Sequence, residues 1–382
     1  MITEHYDVAV LGLGGIGSAA LYHLAKQGAS VCGIERFGMA HDLGSSHGGT
    51  RIIRKAYFEH PDYIPLLNRT YELWRELEET SGITLFEQSG LLLSGLEDSP
   101  VLQGLKKCYA EHDLPHDKIT AEEAEVRYPD FRFPSGHTVY IDPEAGYLHV
   151  ERGVEQHITL AQNVGARVLI HEDATSWRTD GDGVIINTAH REIHAETLII
   201  CAGPWACEIL DEINIPLTIR RKVQTWFRPA RNEEAAACLP VFFFDMGWGT
   251  IYGFPALDDQ GIKIADHDGG QTVKDPDEIQ RKVTKEDIAP AQRLASEVLP
   301  HFELQQSHVS VCMYTMTPDE HFIVDRHPAH SNVLIAAGFS GHGYKFAPVI
   351  GESLAQLALN RQTDHPINFL RIDRPALKST TS

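Results

Sequence analysis

The chain has 382 residues, 42% hydrophobic and 23% charged, with a net charge of −20. That length accommodates about two domains with separate cores. The acidic balance excludes nucleic acid and anionic membrane surfaces as bulk partners, and it makes any local cluster of Lys and Arg informative.

Six dispersed cysteines, none in a C-x-x-C pair, make neither a disulfide framework nor a zinc site, so no metal is expected. The N-terminus carries Glu4 and Asp7 in place of a basic leader, and the apolar stretch after it is short and glycine-rich. A soluble cytoplasmic protein is expected. The helical stretches show no heptad seam, so a monomer is the default.

Residues 7–11 are a continuous apolar run, the pattern of a buried parallel strand. Apolar residues then recur at helical spacing over 16–27, with Gly28 as a C-cap, and 30–34 reads as a second strand. Together they make one βαβ unit. The connection within it, Gly12-Leu13-Gly14-Gly15-Ile16-Gly17, matches G-x-G-x-x-G, and the acid Glu35 stands at the end of the second strand. Gly12 permits the tight turn, Gly14 lets backbone approach a pyrophosphate, and Gly17 allows close helix–strand packing. The helix N-terminus then holds the anion. Glu35 accepts from ribose hydroxyls and repels a 2′-phosphate. The extreme N-terminal position, with Arg36 directly after the acid, favours FAD over NAD.

Tyr63, Leu66, Leu67, Thr70, Trp74 and Leu77 mark an amphipathic helix closed by Gly82. Buried-strand patterns return at 197–201, running into Gly203, and at 333–337, running into Gly338. Residues 219–311 between them read as alternating strands and turns. The predicted architecture is α/β: a discontinuous, Rossmann-like FAD-binding domain (1–85, 150–215 and 320–382) with an inserted, mostly antiparallel substrate domain of α+β type (86–149 and 216–319).

One basic segment stands out, Gly44-Ser45-Ser46-His47-Gly48-Gly49-Thr50-Arg51-Ile52-Ile53-Arg54. Its two arginines share a face on a helix and oppose one another on a strand. The segment resembles the flavin-site segment of the monomeric sarcosine oxidase and N-methyltryptophan oxidase family. So do Cys312-Met313-Tyr314-Thr315, the run 318–325, the run 336–346 ending in Gly341-His342-Gly343-Tyr344-Lys345-Phe346, Tyr252-Gly253-Phe254-Pro255, and 261–267. The likeness runs over essentially the whole chain.

The resemblance implies an FAD enzyme that oxidises the N-methyl group of a small amino acid and passes electrons to O2, forming hydrogen peroxide. It implies that Cys312 carries FAD covalently, and that Arg54 and Lys345 clamp the substrate carboxylate. Arg51 would lie against the flavin ring, and Lys263 would stand near flavin N5 where O2 is reduced. His267 and Tyr252 would line the substrate pocket. His47, Thr50, Gly203, Gly341 and Gly343 would join Gly12, Gly14, Gly17, Glu35 and Arg36 around the cofactor.

On pattern alone these residues say less. Cys312 reads as a small buried hydrophobe, and Lys263, between Ile262 and Ile264, as a solvated strand lysine. His267 is one of 21 histidines, and the two arginines read as a surface salt-bridge pair. The family loop often carries His-His-Gly-Asp where this chain has Ser46-His47-Gly48-Gly49, which leaves substrate identity open. Sarcosine is the expected substrate. N-methyltryptophan, pipecolate, a glycated or a D-amino acid are alternatives, as is a flavin dehydrogenase that does not use O2. An NAD-dependent dehydrogenase and a non-enzymatic FAD-stabilised scaffold are more distant ones.

Overall fold

The computed structural model describes residues 2–378. The apolar run near the N-terminus becomes the strand Ile2–Leu11, parallel to Val31–Ile34 on one side and Arg191–Ile200 on the other. Arg167–Leu169 and Val333–Ala337 add parallel strands further out. The register pairs Leu11 with both Ile34 and Ile200, so the carboxyl ends of the three central strands finish level. Val8, Val10 and Leu334 face a layer made by the helices Gly15–Lys26, Val150–Asn163 and Ala347–Asn360. The alternate residues Ala9, Leu11 and Ile335 pack under the antiparallel strands Ala174–Asp180 and Gly183–Thr188. Burial on both faces is why these strands read as unbroken apolar runs.

The second sheet has nine strands. Its centre is the long antiparallel pair Thr218–Pro229 and Leu304–Met316, followed by Ile262–Asp266, Thr250–Phe254 and Val241–Asp245. Val241–Asp245 pairs in parallel with Leu91–Leu96, the one parallel step in an otherwise antiparallel sheet among the described residues. Phe242, Phe244, Ile262 and Ile264 form the core on one face, beneath the helix Lys285–Val298. The residues between them, Phe243 and Lys263 among these, point to the opposite face.

That helix corrects the reading of 219–311 as strands and turns alone. Thr284 and Asp287 form a capping box, and Ala291, Leu294, Ala295 and Val298 are its buried stripe. Pro290 in its second turn masked the periodicity. A small third sheet joins the two halves, with Gly146–His149 pairing both Thr50–Ile53 and Phe86–Glu87. Arg51 therefore lies on a strand and Arg54 just beyond its end. No helix among the described residues is long and apolar enough to cross a membrane.

Candidate active site

A cavity of about 530 Å³ opens at the carboxyl ends of the parallel strands. It begins at the Gly12–Gly17 turn. Gly12 has φ +87°, and a Cβ there would stand 2.5 Å from the Cys201 carbonyl oxygen. A Cβ on Gly17 would stand 1.8 Å from the Gly12 oxygen. Gly14, by contrast, meets nothing closer than Ser46 Oγ at 3.8 Å, so its backbone faces the cavity uncovered. Glu35 ties the turn to the second strand: its carboxylate accepts from Leu13 N–H at 2.8 Å and Phe37 N–H at 2.9 Å. At the rim Arg36 makes a two-point pair with Asp277, 2.7 and 3.1 Å, and Trp205 Nε1 donates to the same carboxylate at 2.8 Å. Gly203, Gly341 and Gly343 line the walls.

The far end of the cavity is basic. Arg51 donates to the Thr50 and Ser45 carbonyls, each at 2.8 Å, and its guanidinium is 3.6 Å from Cys312 Sγ. Burial raises the Cys312 thiol, but His47, Arg51 and Lys263 around it outweigh that and bring it down to about 7. A thiol so placed is about half thiolate at neutral pH, the nucleophilic form. Lys263 is not solvated: it is 2% exposed, and the solvated-lysine pattern fails because this sheet is covered on both faces. Its ammonium donates to the Gly48 carbonyl at 2.7 Å and the Thr50 carbonyl at 3.1 Å, and lies over the rings of Trp226 and Phe254. Burial first, then the Arg51 charge, pushes its pKa well below the usual lysine value. Cys312, Lys263, His47 and Thr50 are not among the cavity-lining residues, whereas Arg51, Tyr314 and Gly341 are.

A second, smaller cavity of about 60 Å³ adjoins the first across Arg51, Tyr314, Gly341 and Tyr344. It gathers Arg54, Lys345, Tyr252 and His267 with Phe58 and Phe243. The surface salt-bridge reading of the arginines is corrected here: Arg54 is 4% exposed and holds both oxygens of Glu59 at 2.8 Å. Burial would raise Glu59, yet Arg54, His342 and Lys345 bring it down to about 2. Burial, helped by Arg54, lowers Lys345 to about 7, and its ammonium donates to the His342 carbonyl at 2.7 Å. Burial lowers His267 to about 4, so this imidazole is neutral at pH 7. Glu59, Tyr314 and His342 complete the pocket, and the sequence assigned none of them a role. His342 was within reach, since it lies inside the glycine-flanked run that yielded Lys345.

The residues fit FAD on internal grounds. The glycine turn presents bare backbone to the long cavity, and Thr315 Oγ1, a buried polar atom of a wall residue, has no hydrogen-bond partner. Such atoms are rare unless a ligand satisfies them. Elsewhere Glu212, His327 and His330 bring ligand atoms within 4.8 Å of one another. The Ala329 N–H donates to His327 Nδ1 at 3.2 Å, which puts the proton of a neutral ring on Nε2, toward Glu212 at 3.1 Å. That nitrogen then has no lone pair for a metal.

A flavin-dependent amine oxidase is the class that this fold and site define. Residues 7–357 match the family model described as FAD dependent oxidoreductase. The chain is 40% identical to a monomeric sarcosine oxidase of Streptomyces avermitilis, over 95% of this chain and 96% of that one. It is 34% identical to an N-methyl-L-tryptophan oxidase of Escherichia coli, over 97% and 99%. Its fold is shared with NikD, an unusual amino acid oxidase essential for nikkomycin biosynthesis (TM-score 0.86, 21% identity, 96% and 97% covered). Glycine oxidase from Geobacillus kaustophilus is similar in fold too (TM-score 0.83, 20% identity, 97% and 99% covered). The chain belongs to the FAD-dependent oxidoreductase family, within its group of monomeric sarcosine oxidases and N-methyltryptophan oxidases.

Proposed function

We propose that the protein oxidises the N-methyl group of a small amino acid, sarcosine before larger ones, to glycine and formaldehyde with O2 as electron acceptor. The observation that supports this is the second cavity: about 60 Å³, lined by Phe58 and Phe243 together with the buried Arg54 and Lys345. On this reading Arg54 and Lys345, which both line the pocket, bind one carboxylate by charge-assisted hydrogen bonds. Since Glu59 holds Arg54 in this structure, the substrate carboxylate must compete with it.

The neighbouring Arg51 adds a third positive charge. That charge disfavours an ammonium group and selects the neutral amine, the form able to release hydride from its methyl carbon. His267 and Tyr252, both uncharged at neutral pH, shape the pocket around the methyl group. FAD, when bound, supplies the two-electron acceptor. Hydrolysis of the resulting imine releases formaldehyde and glycine, and the two electrons reduce O2 to hydrogen peroxide. Lys263 is the fixed cation offered to developing negative charge on oxygen. The Cys312 thiolate, flanked by Arg51 and His47, is the group for covalent attachment of the cofactor. On this reading the enzyme works as a monomer in the cytoplasm.

Adding sarcosine to the yellow protein without air tests the reading: the flavin absorbance should bleach within seconds. Persistent colour at millimolar sarcosine, with bleaching by a bulky N-methyl or cyclic amino acid, would transfer the activity to that substrate.

A further inference from the structure

Glu151 opens the helix Val150–Asn163 and points back into the loop behind the flavin end of the cavity. Its Oε1 accepts from Gly48 N–H at 2.6 Å, and both its oxygens accept from Gly49 N–H at 3.1 Å. Gly49 N–H and the Gly48 carbonyl belong to one peptide group. That same carbonyl receives the Lys263 ammonium at 2.7 Å and Thr50 N–H at 2.9 Å. A single peptide is therefore held by a carboxylate at its N–H and by an ammonium at its oxygen. Both residues of this turn have positive φ, +88° at Gly48 and +80° at Gly49, so the turn is set by glycines and fixed by Glu151.

The charges facing Lys263 are few. Arg51 from the Thr50–Ile53 strand repels it, whereas Glu151 and the Cys312 thiol from Leu304–Met316 attract it. Trp226 and Phe254 offer only ring faces. Glu151 is thus the one carboxylate, among the described residues, that balances the Lys263–Arg51 pair.

We propose that Glu151 is a positioning residue for the oxygen half of the reaction: through the 48–49 peptide it fixes the Lys263 ammonium, and its carboxylate is the counter-charge to the Lys263–Arg51 pair. The proposal rests on the oxidase reading above only for its kinetic consequence. Its electrostatic content stands without it.

The test uses Glu151→Gln, which keeps an oxygen for the two glycine N–H groups and removes the charge, and Glu151→Asp, which keeps the charge. In lysine-labelled apoprotein, the Lys263 resonance, assigned by its absence in Lys263→Met, should lose its proton about one pH unit lower in E151Q than in the parent. Glu151→Asp should restore most of the difference. In the flavin-loaded protein, loss of the negative charge should tighten sulfite binding to the oxidised flavin about tenfold. With the flavin reduced photochemically, so that no amine is needed, reoxidation by O2 should fall at a correspondingly lower pH. An unmoved Lys263 titration together with unchanged sulfite affinity would overturn the proposal. A shifted titration and tighter sulfite binding, in a parent protein whose reduced flavin ignores O2, would leave Glu151 in its role and refute the oxidase reading instead.

Discussion

The sharpest consequence of the site is a pH dependence centred on Lys345. Burial, then the adjacent Arg54, brings this amine from the ordinary 10.5 to about 7. Below that pH Lys345 joins Arg54 as a cation for the carboxylate, and above it that contribution is lost while Arg54 and Arg51 stay charged. Lys345 already donates one hydrogen bond, to His342 O at 2.7 Å, and so has two N–H groups left for a ligand. A hydrogen bond from a charged group contributes about 1.5–3 kcal/mol, and ~1.4 kcal/mol is tenfold in affinity. Loss of the proton should therefore weaken carboxylate binding about 10- to 100-fold. Sarcosine is a poor probe, because its own amine titrates. Acetate, followed by its perturbation of the flavin spectrum, avoids this. Its Kd should be flat at acid pH, rise through about pH 7, and level off once Lys345 is neutral. Lys345→Met should bind at that weaker plateau throughout. A flat profile in the parent, or Lys345→Met binding acetate as tightly as the parent at low pH, would refute the assignment of Lys345 to the carboxylate.

The same lysine should cost stability. Its folded-state pKa is depressed, so between about 7 and 10.5 the unfolded chain takes up a proton that the folded one refuses, and stability falls as pH drops through that window. Lys345→Met should accordingly raise the melting temperature at neutral pH, with the gain shrinking toward pH 10.5; an unchanged or lower melting temperature at pH 7 would contradict this. Lys263→Met should leave flavin reduction by substrate largely intact and slow reoxidation by about 100-fold or more in stopped flow. Cys312→Ala should release all yellow colour to the supernatant on acid precipitation, while the parent keeps its colour in the pellet. Gly17→Ala, with its Cβ 1.8 Å from Gly12 O, should abolish FAD retention, measured as the ratio of flavin to protein absorbance after gel filtration.

Where backbone geometry dictates residue type, the sequence was readable. The Gly12–Gly17 turn and the acid after the second strand occur where a βαβ unit needs them, and Gly82 ends its helix with φ +70°. The helix Lys285–Val298 was missed although its capping box is plainly written, because Pro290 and a polar majority hid a four-residue buried stripe. Lys263 shows the deeper limit. Alternation between Ile262 and Ile264 tells which residues share a face of the sheet, but not whether the other face meets water or a second domain. Glu151 was invisible for a related reason. It matters only because tertiary folding sets it near Lys263, over 100 residues away on another element, and no local spacing records that.

On the proposed function, a pocket of this size and charge selects a small N-methyl amino acid and delivers its electrons to oxygen. The decisive assay is peroxide release under air, compared as kcat/KM for sarcosine, N-methyltryptophan, pipecolate and several D-amino acids. Peroxide should form with sarcosine strongly preferred, and formaldehyde in equal amount. Peroxide from none of them, with flavin still bound and bleached by sarcosine, would refute the use of oxygen, and a preference for N-methyltryptophan would refute selection by so small a pocket.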